Sequence, residues 1–301
     1  WPYEDAVTIA CINFHPVEGD KLTTLDKIKD FAVKAAIKGA NIIIFPEIAL
    51  GNIIISPEIA WGEKAPVGAP PAALINLAET IPGPSTEEIA KLANQYKVHV
   101  IFGMVEREED SYYNSAAVIG PSGVLGTYRK VHYRAPWEIA WLSKGNSFPI
   151  FKTPYGPLGI GICYESYCMP EVARCYAVRG VRLFINVTAF PKFPDCQDYR
   201  EFYMTTLGCR SIENQMFIAS ANVVGELGGM THFGNSVILG PKPGYMNYHV
   251  FAGPASDKKE EIVNATLNLR SVKNLPFAVA DSLKDRMPQL YNYLVQRNLS
   301  H

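Results

Sequence analysis

Short apolar runs that alternate with helix-like segments limit the possible folds of this chain more than any other feature of its sequence. The strand-length runs are residues 7–14, 41–45, 98–105, 158–162, 183–187 and 216–223. Helical periodicity separates them, as in the segment before Gly39, where Leu25, Ile28 and Phe31 fall on one face. Runs that are apolar throughout predict strands buried on both faces of a sheet. The order of elements therefore predicts an α/β fold made of layered helices and sheets.

Local signals mark where several elements begin and end. Thr23, with Asp26 three residues later, predicts the N-cap of the first helix. The turn Pro121-Ser122-Gly123 predicts a hairpin between residues 114–119 and 124–128. Further helices are predicted at residues 72–80, 86–96, 170–178 and 199–213, and later strands at 236–239 and 262–267. Because no repeat or low-complexity linker divides the chain, we expect residues 1–301 to form a single domain.

Charge and cysteine content exclude several classes of protein. The 28 Lys and Arg residues nearly balance 29 Asp and Glu residues, which gives no electrostatic case for binding nucleic acid or a membrane surface. No apolar run approaches the ~20 residues of a spanning helix. The six cysteines form no CxxC pair, so neither a metal site nor a disulfide framework is expected. We expect a cytoplasmic protein with free thiols. The possibility that a leader was removed before Trp1 stays open.

Cys163 is the strongest single candidate for chemistry. It follows the glycine-rich strand Gly159-Ile160-Gly161-Ile162 and precedes a helical segment. A nucleophile at a sharp turn from strand to helix is exposed beside backbone N–H groups. Its thiol, with an ordinary pKa near ~8.5, needs a base or a nearby cation to react at neutral pH. Taken alone, a cysteine is more often a buried small hydrophobe.

Charged residues at strand ends are the candidate partners of this thiol, because no histidine lies in a recognisable cysteine-protease context. Glu47 follows Pro46 at the end of the apolar run 42–45. A carboxylate there would be partly desolvated, which suits a general base. Lys130 ends the strand over residues 125–130, and Glu138 follows Trp137. Taken alone, Glu47 is more readily explained as a loop carboxylate in water, and Lys130 and Glu138 are explained as solvated surface charges.

Together these residues resemble the motifs of the nitrilase superfamily of carbon–nitrogen hydrolases. The matches to its Glu, Lys and Cys motifs, in order, are Phe45-Pro46-Glu47, Tyr128-Arg129-Lys130-Val131-His132 and Gly161-Ile162-Cys163-Tyr164-Glu165. Supporting matches are Pro170-Glu171, Arg174, Asn186-Val187-Thr188-Ala189-Phe190, Arg210-Ser211-Ile212-Glu213-Asn214-Gln215, Ala221-Asn222 and Gly234-Asn235-Ser236. The resemblance covers residues 7–267, nearly the whole chain.

The resemblance implies a four-layer αββα sandwich and a catalytic set of Glu47, Lys130, Cys163 and Glu138. The match of Glu138 rests on its distance after Lys130 more than on a motif. Neither a metal nor an organic cofactor is implied. Members of the superfamily pack as homodimers or higher homo-oligomers, and the tail from about residue 276 is a candidate for such contacts.

The implied reaction is the hydrolysis of a small amide, or a ureido compound, to the acid and ammonia through a cysteine thioester. Tyr164 follows the cysteine where typical nitrilases carry Trp, which favours an amide over a nitrile. Three alternatives stay open: a nitrilase that makes the acid and ammonia, an acyl transferase that shares the thioester, and a non-catalytic binding protein. The expected partner is a small-molecule amide or nitrile.

Aromatic residues near the motifs are candidates for the substrate site. The expected entrance segments are residues 52–71 with Trp61, and residues 132–141 with Tyr133, Trp137 and Trp141. Aromatic walls suit an apolar acyl group, and core or dimer contacts explain the same residues equally well. Residues 190–199 form a third candidate segment, whose Lys192 and Asp195 leave a polar substrate group open. The expected substrate-binding residues are Tyr164, Trp137 and Asn186.

Overall fold

The computed structural model describes residues 2–51, 59, 62, 65–193, 195–274 and 283–296. Trp61 and most of the expected entrance segment 52–71 therefore lie outside the described residues. So do residues 276–282 and 297–301 of the tail that was expected to make oligomer contacts. No helix in the described part of the chain is long and apolar enough to cross a membrane.

Strands account for most of the described elements. They are β1 (Val7–Asn13), β2 (Ile42–Ile44), β3 (His99–Glu108), β4 (Ser111–Gly120), β5 (Gly123–Arg129), β6 (Phe151–Thr153), β7 (Gly156–Ile162), β8 (Leu183–Thr188), β9 (Phe217–Asn222), β10 (Val224–Leu227), β11 (Met230–Phe233), β12 (Val237–Gly240), β13 (His249–Ala252) and β14 (Glu261–Leu267). The helices are α1 (Lys21–Ile37), α2 (Ala72–Leu77), α3 (Pro84–Tyr96), α4 (Pro136–Trp141), α5 (Tyr164–Cys168), α6 (Pro170–Ala177) and α7 (Tyr199–Asn214). Short 3₁₀ helices follow at Leu269–Asn274, Pro288–Leu290 and Asn292–Val295.

Two six-stranded sheets form the centre of the fold. The first has the order β14-β1-β2-β3-β4-β5, and the second has the order β13-β12-β9-β8-β7-β6. Strands β1, β2 and β3 pair in parallel, as do β7, β8 and β9, whereas the outer strands pair antiparallel. The central strands are apolar throughout because helices and the other sheet cover their two faces.

Three hydrophobic clusters show the order of the layers. One cluster joins the facing sides of the two sheets and includes Ile44, Ile160 and Val187. A second joins the outer face of the first sheet to α1 and α3, with Ile28 and Ile89 fully buried. The third packs α6 and α7 on the outer face of the second sheet. The order is helix, sheet, sheet, helix, so the predicted four-layer αββα sandwich is confirmed.

Parallel topology brings the ends of separate strands to one edge, where the candidate residues lie. Glu47 follows β2, Cys163 follows β7 and Thr188 ends β8. The chain at Glu47 passes so close to β3 that a Cβ on Gly103 would lie 2.6 Å from the Glu47 Cα atom. Glycine at this position therefore allows the turn after β2 to sit against the neighbouring strand.

The structure corrects two local predictions. Asp20, not Thr23, is the N-cap of α1, since the Asp20 carboxylate accepts the Thr23 N–H at 3.0 Å. The predicted Thr23 cap was wrong because the helix already begins at Lys21. The strand predicted at residues 98–105 runs on to Glu108, where a turn at Glu109, with φ of 52°, leads into β4.

Candidate active site

Glu47, Lys130 and Glu138 meet in one buried ion cluster. The Lys130 ammonium donates to Glu47 Oε1 at 2.9 Å and to Glu138 Oε1 at 2.7 Å. Lys130 is only 2 % exposed, and both carboxylates are buried as well. Charges are rarely buried unless they are paired, and here one cation is shared by two anions. The structure thus brings together three of the four residues that the sequence assigns to catalysis.

A fourth buried residue, Asn114 on β4, joins the two carboxylates from the side. Its amide Nδ2 donates to Glu47 Oε1 at 2.8 Å and to Glu138 Oε1 at 2.9 Å. From the sequence, Asn114 was predicted only as part of a hairpin strand. The available signal was a polar residue at the start of the apolar run 114–119, opposite Lys130, which directly follows the paired strand β5.

Backbone donors fix the remaining oxygen of each carboxylate. Glu47 Oε2 accepts the N–H of Ala189, just after β8, at 3.0 Å. Glu138 Oε2 accepts the N–H groups of Ala135 and Arg134 at the start of α4, at 3.1 and 3.3 Å. Because Glu138 is held by the first turn of its own helix, its other oxygen is aimed at Lys130. Both carboxylates are therefore placed before any substrate arrives.

The pKa of Lys130 reflects two opposing effects. Burial alone would lower the pKa of this ammonium, but the charges of Glu138 and Glu47 outweigh burial. The pKa of Lys130 stands well above its usual value, so the side chain is a cation throughout the neutral range. A fixed cation of this kind can stabilise negative charge that develops on a substrate oxygen.

Cys163 occupies the sharp turn that the sequence predicted between a strand and a helix. Its backbone has φ of 51° and ψ of −108°, outside the regions that non-glycine residues ordinarily occupy, and α5 starts at the next residue. The Cys163 N–H donates to the Val187 carbonyl at 3.0 Å, which anchors the turn to β8. Strained backbone that is anchored in this way concentrates at functional sites.

The surroundings of Cys163 favour the neutral thiol. Burial raises the pKa of this thiol most, and the charge of Glu47 raises it further. Lys130 and a hydrogen bond from Thr188 act in the opposite direction without cancelling the increase. The thiol is therefore protonated at neutral pH, and an attack by Cys163 requires a base to take the proton.

Glu165 fixes the two segments that carry Lys130 and Cys163 relative to each other. Its fully buried carboxylate accepts the backbone N–H groups of Val131, His132 and Ile162 at 2.9 to 3.1 Å. The Tyr128 hydroxyl donates to the same group at 2.8 Å. From the sequence, Glu165 was noted only as part of a motif, because three of these four partners come from a segment about 35 residues earlier.

One cavity of about 750 Å³ contains all four candidate catalytic residues in its lining. Tyr164 and Trp137, both expected to contact substrate, also line it. The rest of the wall includes the aromatic or apolar residues Tyr167, Phe190, Phe193, Tyr199, Phe202 and Met230, and the polar residues Arg134, Asp195, Asp198 and His232. Tyr133, Trp141 and Lys192, from the expected entrance segments, are absent from the lining.

Asn186 does not line this cavity, so its assignment to substrate binding does not fit the structure. Its side chain is fully buried, and its amide donates to the hydroxyls of Tyr167 at 2.9 Å and Ser220 at 2.8 Å. The Asn186 oxygen accepts from Ser166 at 2.7 Å. The Tyr167 hydroxyl in turn donates to Thr188 Oγ1 at 3.0 Å. Asn186 therefore supports the cavity wall from behind.

Metal ligands are not grouped in the part of the chain that the structure describes. Within those residues, no cluster of three or more His, Cys, Asp and Glu side chains could hold a metal ion.

Comparison with known proteins identifies a family and several relatives. The family model for carbon–nitrogen hydrolases matches residues 8–277. A "probable nitrilase" of Schizosaccharomyces pombe is 30% identical over 294 residues, which cover 95% of this chain and 98% of that protein. An omega-amidase of Homo sapiens is 30% identical over 222 residues, 70% of this chain and 73% of that protein.

A solved structure with the same fold is an amidase from Nesterenkonia sp. AN1, in a mutant form. It superimposes with a TM-score of 0.73 at 20% sequence identity and covers 95% of this chain and 96% of its own. That structure shows the acetamide moiety of fluoroacetamide added covalently at its active site cysteine. At this level of identity, the likeness establishes the shared fold.

Proposed function

We propose, from the premise that this chain belongs to the carbon–nitrogen hydrolase family, that it hydrolyses a small primary amide to the acid and ammonia. The chain is a hydrolase of the nitrilase superfamily, and the choice of amide is our proposal. The observation that supports it best is the shared cavity. Cys163 lies at its strained turn in the same lining as the buried cluster of Glu47, Lys130 and Glu138.

The first step is attack by the thiol on the amide carbon. Because the pKa of Cys163 is raised, the thiol keeps its proton until a base removes it. Glu47 is the proposed base, since its carboxylate lies in the same cavity and its charge acts on the Cys163 thiol. Removal of the proton and attack then occur together, and a tetrahedral intermediate forms on Cys163 Sγ.

The intermediate carries a negative oxygen that two fixed groups can stabilise. One is the Lys130 ammonium, and the other is the backbone N–H of Tyr164 in the first turn of α5, where N–H groups lack an acceptor within the helix. Glu47 returns the proton to the nitrogen, the carbon–nitrogen bond breaks, and ammonia leaves. Water activated by Glu47 then hydrolyses the thioester to the acid and frees the thiol. Glu138 holds Lys130 in place throughout.

Amides are favoured over nitriles by the residue after the nucleophile. Tyr164 lines the cavity beside Cys163, where typical nitrilases carry Trp. The relatives include both kinds of enzyme, since one is described as a probable nitrilase and another as an omega-amidase. Nitrile hydrolysis is accordingly the second candidate function, and it would use the same thioester chemistry.

The test is ammonia release from matched panels of primary amides, ureido acids and nitriles. Wild type is compared with Cys163→Ala, and Cys209→Ala is the control, because Cys209 is an exposed cysteine on α7 outside the cavity. We expect amides to release ammonia with wild type and Cys209→Ala, and none with Cys163→Ala. If only nitriles react, the amide proposal is wrong and nitrile hydrolysis takes its place. Turnover by Cys163→Ala at a rate near that of wild type would refute the assignment of Cys163 as the nucleophile.

A further inference from the structure

Aromatic rings make up much of the cavity wall beyond the ion cluster. Tyr167 lies on α5, Phe190 follows β8, and Tyr199 and Phe202 lie in the first turn of α7. We call these four residues the ring wall. Phe202 is 39% exposed, so an apolar ring is left in contact with water at a cavity that also contains the candidate nucleophile. Apolar surface exposed in a pocket favours an apolar ligand.

The ring wall is already assembled without a ligand. Phe190 lies at its centre, with its ring centroid 5.1 Å from that of Tyr167 and 6.2 Å from that of Phe202. Tyr199 packs against the fully buried Phe233 with a centroid distance of 5.0 Å. The hydrogen bonds to the Tyr167 hydroxyl described above hold that ring as well. A ligand that binds here would order few side chains, which preserves its binding free energy.

The charges in the cavity do not suit an anionic substrate. Lys130 is already shared by two carboxylates, so Arg134 is the remaining cation in the lining as described. Asp195 and Asp198 lie in the same lining and oppose the charge of Arg134. Burial lowers the pKa of His232 to about 4, so this side chain is uncharged at neutral pH. Among the described residues of the lining, there is therefore no surplus of positive charge to bind a substrate carboxylate.

From these observations we infer that the substrate is an uncharged amide whose acyl group carries an aromatic ring, which packs on the ring wall. The inference rests on the proposed function. If the substrate is a primary amide, its leaving group is ammonia, which needs no pocket, so the cavity serves the acyl group. Aromatic rings packed on such a wall gain both buried area and ring–ring contacts.

The first experiment compares kcat/KM for 3-phenylpropionamide and propionamide, which differ only by the ring. We expect a ratio of about 10 to 100 in favour of the aromatic amide, as burial of a phenyl group typically gives. Succinamate, 4-aminobutanamide and N-benzylpropionamide test an anionic group, a cationic group and a ring on the leaving amine. A higher kcat/KM for any of these three than for 3-phenylpropionamide would overturn the inference.

Phe202→Ala tests whether the ring wall is responsible for the preference. Phe202 is partly exposed on the surface of α7, so its truncation should leave the fold intact. We expect the ratio of kcat/KM between the two amides to fall about tenfold. Tyr245→Ala is the matched control, since Tyr245 is an exposed aromatic residue outside the cavity and its loss should leave the ratio unchanged. An unchanged ratio in Phe202→Ala would contradict the assignment.

Binding to Cys163→Ala separates this inference from the proposed function. Calorimetric titration of that variant with the same two amides measures ring recognition without turnover. A Kd about 10 to 100 times lower for 3-phenylpropionamide supports the ring wall even if wild type hydrolyses neither amide, in which case the proposed function alone fails. Equal Kd values for the two amides overturn the inference even if wild type hydrolyses both.

Discussion

Replacing Glu165 with glutamine should destabilise the protein through the hydrogen bonds that this buried carboxylate accepts. Its Oε1 accepts the N–H groups of Val131 at 2.9 Å and His132 at 3.1 Å. Its Oε2 accepts the Tyr128 hydroxyl at 2.8 Å and the Ile162 N–H at 2.9 Å. A glutamine retains one acceptor oxygen, while its NH₂ group can only donate. At least one side of this network must therefore lose its acceptor.

The magnitude follows from the less damaging orientation of the amide. With the NH₂ at the position of Oε2, the Tyr128 hydroxyl can rotate and accept, but the Ile162 N–H is left facing another donor. An unsatisfied buried donor costs about 1–3 kcal/mol, and bonds to a neutral acceptor are weaker than bonds to a charged one by about 1 kcal/mol. The sum is about 3 kcal/mol. The opposite orientation would leave the N–H groups of both Val131 and His132 without an acceptor and would cost more.

Thermal unfolding followed by circular dichroism measures this loss. At an unfolding entropy of about 2.1 cal/mol/K per residue, 301 residues give about 0.6 kcal/mol/K, so 3 kcal/mol lowers Tm by about 5 °C. Glu171→Gln is the control, because Glu171 is exposed at the start of α6 and the same change there should shift Tm by about 1 °C or less. A Tm for Glu165→Gln within 1 °C of wild type would refute the reasoning.

Four further predictions follow from the site and its surroundings. Lys130→Met should lower kcat/KM for the best amide by at least about 100-fold, as loss of an oxyanion donor does, and an unchanged value in a folded variant would exclude that role. Thr188→Val should raise the pKa of the Cys163 thiol further, since its hydrogen bond favours the thiolate, and iodoacetamide should therefore alkylate Cys163 more slowly in the variant at the same pH. Burial lowers the pKa of His232 from 6.5 to about 4, so between these values the unfolded chain binds a proton that the native chain does not, and stability falls with decreasing pH. The loss should reach about 3 kcal/mol at pH 4 in denaturant titrations, and His232→Gln should lack it. Light scattering should show a homodimer or higher homo-oligomer, and a monomer at micromolar concentration would contradict that expectation.

The sequence predicted the catalytic candidates because they sit in short motifs at strand ends. Glu47 and Cys163 each follow an apolar run, and Lys130 follows β5, which runs in the same direction as β2 and β3. Strands that run in the same direction end at the same edge of the fold. The αββα layers followed from the resemblance carried by the same motifs. These features depend on local sequence, which a single chain displays directly.

Tyr164, Trp137 and several residues of the expected segment 190–199 do line the cavity. The way the wall packs could not be predicted, because its contacts join segments that are distant in sequence. Phe190 and Phe202 come from a loop and a helix that meet only once β8 and α7 are packed. Asn186 was expected at the substrate because it lies in a family motif at the end of a strand. Alternation along β8 instead directs its side chain to Ser166, Tyr167 and Ser220.

The charges of the ion cluster explain why a thiol with a raised pKa is compatible with catalysis. With Glu47 and Glu138 as carboxylates and Lys130 as a cation, the buried cluster carries a net charge of −1 beside a neutral thiol. A free thiolate would make the net charge of this poorly solvated site −2. For this reason burial and Glu47 both raise the pKa of Cys163. In the proposed first step, transfer of the proton from Cys163 to Glu47 leaves the total at −1. The negative charge then moves to the substrate oxygen during attack, so no step requires the buried site to gain or lose net charge.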